Sequence, residues 1–199
     1  MIYTFPQSLD VAIEIATTWH KGQTRNHSGL PYICHPFDVI HMLARWGVRG
    51  NKHPFVLEAG MLHDVIEDTH ADQRAMVEQQ IRWALGLEVA TICAELTFIP
   101  MSQKDKAAEK AAYMASFEYK SIESLLTKLS DRFCNILDYI DSDFDYARSY
   151  AEKAAPLLQT AQHHRNDIKA KFGIDVVFRM IGTYEEICVK LGVTGVTLI

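Results

Sequence analysis

The sequence predicts an all-α, single-domain bundle of irregularly crossing helices. Three observations lead there. Apolar residues recur three and four positions apart along most of the chain, strand-like alternation is confined to the terminal VTGVTLI, and only six prolines interrupt 199 residues. That length suits one domain with a substantial core.

The elements follow in order. Leu9, Ala12, Ile13, Ala16 and Trp19 share one helical face after a candidate cap at Ser8, which predicts a helix over about 8–20. The glycines and prolines of KGQTRNHSGLPYICHP mark a loop, and a second helix opens at His35-Pro36 and reaches about Trp46. After the turn WGVRGNK, a third helix is expected from His53 through Asp68. Residues 72–84 and 86–97 read as two helices broken near Gly86. The stretch 103–118, rich in alanine, lysine and glutamate, reads as a plain exposed helix. Ile122, Leu125, Leu129, Phe133, Ile136 and Ile140 give 121–140 one broad apolar face. Helices over 145–170 and 176–191 complete the bundle.

Composition excludes several classes. With 48% hydrophobic and 23% charged residues, net charge −5 and no basic block, an extended nucleic-acid groove is not expected. No apolar run approaches the roughly 20 residues that span a bilayer, and MIYTFPQSLD lacks the regions of a signal peptide, so a cytoplasmic location is expected. Cys34, Cys93, Cys134 and Cys188 are scattered without a CxxC pair and read as reduced thiols. Oligomeric state leaves no sequence signal.

One constellation carries chemistry. In MLHDVIEDT, helical spacing puts His63, Asp64, Glu67 and Asp68 on one side and Leu62, Val65 and Ile66 on the other. His63 and Asp64 are adjacent and can converge on an ion lying between them. By themselves Glu67 and Asp68 also fit a solvated helix end. His35 sits between a loop and a helix start, well placed to add a third ligand. In KLSDRFCNILD, Asp131 interrupts an apolar helix with Lys128 and Asn135 on its side. Burying that carboxylate costs several kcal/mol unless a cation or donors satisfy it. Mixed nitrogen and oxygen ligands of this kind suit a divalent metal that hydrolyses phosphate esters.

The order His35, His63-Asp64, Asp131 resembles the H…HD…D pattern of HD-domain metal-dependent phosphohydrolases. HKGQTR at 20–25, GLPYICHP at 29–36, LHDVIEDT at 62–69 and KLSDRFCN at 128–135 narrow the likeness to the hydrolase domain of the RelA/SpoT family, over roughly residues 8 to 160. Small stand-alone members of that family have about this length. The resemblance implies one manganese ion held by His35, His63, Asp64 and Asp131, with Glu67 and Asp68 positioning and activating the attacking water. It also implies nucleotide contacts from Arg25, near the base, and from Lys128 and Asn135. The implied reaction removes the 3′-pyrophosphate of a purine alarmone, (p)ppGpp or (p)ppApp. No second block resembling the synthetase domain follows, so hydrolysis without synthesis is expected.

The chain leaves the family pattern at Asn26, at TFIP in 97–100, at Cys134 and at Leu137, all positions that the resemblance puts near the nucleotide. Three readings therefore accompany the guanosine alarmone: an adenosine alarmone as substrate, a nucleotide 2′- or 3′-phosphatase acting on a molecule such as NADPH, and a nucleotide-binding regulator on an HD scaffold.

Overall fold

The computed structural model describes residues 7–26, 28–102 and 104–193. Eleven helices run through these residues: α1 (Gln7–Trp19), α2 (Cys34–Trp46), α3 (Pro54–Leu62), α4 (Val65–Asp68), α5 (Arg74–Leu96), α6 (Lys106–Ala115), α7 (Ile122–Ile140), α8 (Phe144–Glu152), α9 (Ala155–His163), α10 (Arg165–Phe172) and α11 (Val176–Lys190). A single 3-10 turn, Ser116–Glu118, follows α6. No strand forms among the described residues. One antiparallel bridge, Thr24 to Pro31, folds the loop after α1 back on itself. Of the β-prone terminus only Val193 is described, and residues 194–199 lie outside.

The central helix is α7, which packs against α2, α3, α5, α8, α9 and α11. Its apolar face supplies Leu125, Leu126, Leu129, Phe133 and Ile136, all buried. Trp46 at the end of α2 meets Phe133 edge-on, with ring centroids 5.5 Å apart. The Trp46 indole Nε1 donates to Thr183 Oγ1 of α11 at 3.1 Å, which ties the C-terminal helix to the site-bearing half. All four cysteines are free. No helix among the described residues is long and apolar enough to cross a membrane.

Three boundaries differ from the sequence expectation. The helix expected over 53–68 breaks at His63-Asp64 into α3 and α4. Asp64 has φ −104° and ψ −9°, which ends one ladder, and its carbonyl starts the next by accepting from the Asp68 N–H at 2.9 Å. The single helix expected over 145–170 is three short ones, α8 to α10. Pro156 opens α9 within its first turn, where its missing N–H is tolerated, and the α9–α10 joint falls at His164, whose φ −87° and ψ 9° leave the helical region. Ser8, expected as a cap, is the second residue of α1. The break expected near Gly86 is present: its φ of 91° and ψ of 177° kink α5.

Gly47 closes α2 in the left-handed conformation at φ 104°, and an added Cβ there would stand 2.0 Å from Ile174 Cδ1. Gly47→Ala is expected to cost about 1–3 kcal/mol through backbone strain and the displaced isoleucine. A thermal melt checks this as a fall of several degrees.

Candidate metal centre and active site

Four side chains converge where α2, α3, α4 and α7 meet. His35 lies at the start of α2 and puts Nε2 3.1 Å from Asp131 Oδ1 of α7 and 3.8 Å from Asp64 Oδ2. His63 and Asp64 occupy the break between α3 and α4, with His63 Nε2 2.8 Å from Asp64 Oδ2 and 3.7 Å from Asp131 Oδ1. One ligand atom from each of the four lies within 4.8 Å of every other. Ligands about 2.1 Å from a shared ion lie roughly 3 Å apart when adjacent and roughly 4 Å apart when opposite, so these spacings fit a single divalent cation. The helix break serves this convergence. In a continuous helix neighbouring side chains diverge by about 100°, and the altered Asp64 backbone turns its carboxylate back toward His63.

The His63 ring supplies an independent test of the fit. Its Nδ1 is 2.8 Å from the Gly60 carbonyl, which can only accept, so Nδ1 carries the proton and Nε2 is the free ligand atom of the neutral ring. Nε2 is buried and forms no hydrogen bond, its close approach to Asp64 being off any donor direction. A buried imidazole nitrogen without a partner, facing two carboxylates, is what a metal ligand leaves. The local field also favours positive charge. Burial alone would lower the His63 pKa, yet Asp64 raises it to about 9. Burial alone would raise both aspartates, but His63 holds Asp64, and the Lys128 ammonium holds Asp131, below the ordinary carboxylate range.

Above the cluster opens a cavity of about 160 Å³ whose lining includes Asp64, Glu67, Asp68, Asp131 and Asn135. Across the α3–α4 break, Leu62, Val65 and Ile66 are buried in the core while Glu67 and Asp68 line the cavity. Glu67 Oε2 accepts the Phe98 N–H at 3.0 Å, which fixes the carboxylate, and burial raises its pKa above the usual value. Burial, then the charges of Asp64 and Glu67, push Asp68 up to about 7. A carboxylate whose pKa is raised is a stronger base toward water, and both of these are raised.

The residues expected at the nucleotide are brought to the same site. Lys128 Nζ is 2.8 Å from Asp131 Oδ2. Asn135 Nδ2 donates to Asp131 Oδ1 at 2.5 Å, and its Oδ1 accepts from Arg25 Nη2 at 2.6 Å. Arg25 also pairs with Asp138 Oδ2 at 2.9 Å. Arg25 is thus clamped one helical turn beyond the cavity, outside its lining. Of the departures from the family pattern, Phe98 lines the cavity, whereas Cys134 is buried in the core.

Sequence reasoning missed several participants. Tyr32, inside GLPYICHP, donates from its hydroxyl to Asp64 Oδ2 at 2.5 Å and packs on the buried His20 ring at 4.6 Å between centroids. Asp138 anchors Arg25, and its spacing seven positions after Asp131 was a readable signal. Residues 103–118 are not merely an exposed helix, because Lys110, Tyr113 and Met114 line the cavity and Phe117 is buried. Arg132 and Tyr150 also line it. Arg132 stood next to Asp131 as a second charge on an apolar helix, while Lys110 carried no signal.

An all-α scaffold on which two imidazoles and two carboxylates converge on one cation-sized point defines the metal-binding HD class. The HD domain model matches residues 12–155, and the chain belongs to the HD-domain family. It is homologous to proteins of the RelA/SpoT group. A guanosine-3′,5′-bis(diphosphate) 3′-pyrophosphohydrolase of Spiroplasma citri is 33% identical over 134 residues, covering 65% of this chain and 17% of that protein. The bifunctional (p)ppGpp synthase/hydrolase SpoT of Escherichia coli is 35% identical over 123 residues, covering 61% of this chain and 16% of its own. The chain therefore spans about one sixth of these relatives' length. A solved structure, described as a metazoan ortholog of SpoT that hydrolyzes ppGpp and plays a role in starvation responses, aligns with a TM-score of 0.72. It covers 96% of this chain and 99% of its own at 20% identity, a likeness of fold.

Proposed function

We propose that the chain is a manganese-dependent 3′-pyrophosphohydrolase of purine alarmones, taking (p)ppGpp or (p)ppApp and releasing pyrophosphate. The observation that carries this reading is the cluster of four ligand atoms, two of whose residues, Asp64 and Asp131, line a cavity that Glu67 and Asp68 also line. The relatives named for ppGpp hydrolysis support it. In this reading His35, His63, Asp64 and Asp131 hold the cation. When bound, the ion neutralises charge on the phosphate oxygens and acidifies water. Glu67 would orient the attacking water and take its proton, with Asp68 beside it. Lys128 meets the phosphate, while Asn135 and Arg25 hold the nucleoside end. Hydrolysis without synthesis is the activity proposed for these 199 residues.

A substrate panel tests the reading. Manganese-loaded protein is offered ppGpp, ppApp and NADPH, and kcat/KM is compared. The proposal expects one of the alarmones to lead NADPH by at least about a hundredfold, the scale of a few kcal/mol in transition-state binding. Leading turnover of NADPH would replace it with the 2′-phosphatase reading, and nucleotide binding without turnover would favour the regulator.

Chelation gives a second check. Stripping divalent ions is expected to lower the melting temperature by roughly 5–10 °C, since a ligand at a hundred times its Kd stabilises by about 2.7 kcal/mol. Manganese added back restores it.

A further inference from the structure

The cavity lining carries both signs. Asp64, Glu67 and Asp68 come from the α3–α4 break and α4, Lys110 comes from α6, and Lys128, Asp131 and Arg132 come from α7. Of the three cations Lys128 is neutralised by Asp131. Arg132 is not. It is 4% exposed, its Nε has no hydrogen-bond partner, and its Nη2 meets the Met114 thioether at 3.3 Å. Its guanidinium lies over the Tyr150 ring, 4.4 Å from the centroid, and among the described residues no carboxylate comes within 4.0 Å. A buried guanidinium with an unused donor and no counter-charge is expensive unless an anion completes it. Lys110, reaching in from α6, is likewise without a carboxylate partner among the described residues. Burial, and then the positive charges of Arg132 and Lys128, hold its pKa below the ordinary lysine value.

We propose that Arg132 and Lys110 form a phosphate subsite, separate from the metal cluster, that binds the terminal phosphate of the substrate's 3′-pyrophosphoryl group. This rests on the alarmone reading above and names what makes the site select a pyrophosphate over a monophosphate. Size and direction support the assignment. At about 160 Å³ the cavity is smaller than the roughly 300–1,000 Å³ that encloses a drug-sized ligand, so it holds phosphates while the nucleoside lies outside. Asn135 lies one turn beyond Asp131 on α7, and Arg25 docks on it from the loop after α1, which is where the nucleoside is placed. With the α-phosphate at the cluster and the nucleoside toward Arg25, Arg132 and Lys110 are the unpaired cations of the lining left for the terminal phosphate.

The reaction then proceeds with water bonding to the α-phosphorus as the P–O3′ bond breaks. The water's proton passes by way of Glu67 to solvent, O3′ gains one, and pyrophosphate is released. Arg132 presents a planar fork of donors to the terminal phosphate, a geometry a lysine cannot copy. Tyr150 beneath it keeps the fork in place.

Calorimetric titration of the manganese-loaded protein with inorganic pyrophosphate, orthophosphate and GDP tests the subsite without turnover. Wild type is expected to bind pyrophosphate at least about tenfold tighter than orthophosphate, and Arg132→Gln and Lys110→Ala are each expected to weaken pyrophosphate about tenfold or more, with orthophosphate and GDP within about threefold. Pyrophosphate affinity unchanged in both variants would overturn the proposal. So would a loss for GDP equal to that for pyrophosphate, which would assign the cations to the 5′-phosphates. If Arg132→Gln does not fold, Lys110→Ala decides, because Lys110 borders the cavity from α6, a helix that contributes no buried residue to the core. Failure of every alarmone to turn over would remove the proposed function, yet Arg132- and Lys110-dependent pyrophosphate binding would still establish the anion site.

Discussion

Asp131→Asn is expected to abolish metal retention and lower turnover by at least about a thousandfold, more than the 10–100-fold typical of residues that only support metal ligands. It also unbalances the fold. Asp131 is the partner of Lys128 at 2.8 Å, with side chains only 5% and 12% exposed. Removing one member of a buried pair costs about 3–5 kcal/mol, mostly because the other charge stays behind. For a chain of this size that is roughly 10 °C in melting temperature. Loss of activity alone would therefore be ambiguous. The double variant Asp131→Asn/Lys128→Met separates the effects, since it removes both charges and is expected to recover most of the stability. Metal content by elemental analysis and turnover should both remain lost. Recovery of turnover together with the melting temperature would show that Asp131 acts through the fold and not as a ligand.

Glu67→Gln is expected to keep the metal and the fold while reducing kcat by about 10²–10⁴, the usual contribution of a positioned general base. The amide oxygen of glutamine can still accept the Phe98 N–H, so the side chain stays where Glu67 lies. Stability should change by less than about 1 kcal/mol because only one half-buried charge is removed. The measurement is kcat with metal content and melting temperature determined on the same preparation. A variant within a few-fold of wild type would transfer the proton-accepting role to Asp68, the other carboxyl raised in this cavity.

How much was legible in the sequence follows from the range of the interactions. The helices were readable because their apolar faces repeat locally, and Gly86 announced its kink by residue type. His35, His63, Asp64 and Asp131 were legible as a set because each breaks an expectation of its own segment, and the structure brings all four together. The break at His63-Asp64 was not legible. LHDVIED keeps helical periodicity straight through it, and what favours the break is convergence on His35 and Asp131, 28 positions back and 67 ahead. Tyr32 was missed for the same reason, since it acts by a hydrogen bond to a residue on another element, Asp64. Lys110 was the least visible, since a lysine on an alanine-rich helix looks the same in sequence whether it faces water or a cavity.

The most direct test is phosphorus NMR of the products formed when manganese-loaded protein is mixed with ppGpp, with ppApp run in parallel. The prediction is one equivalent of pyrophosphate for each equivalent of nucleoside 5′-diphosphate from at least one of the two, dependent on the metal. Orthophosphate in place of pyrophosphate, or no phosphorus product from either substrate with the metal bound, would contradict it.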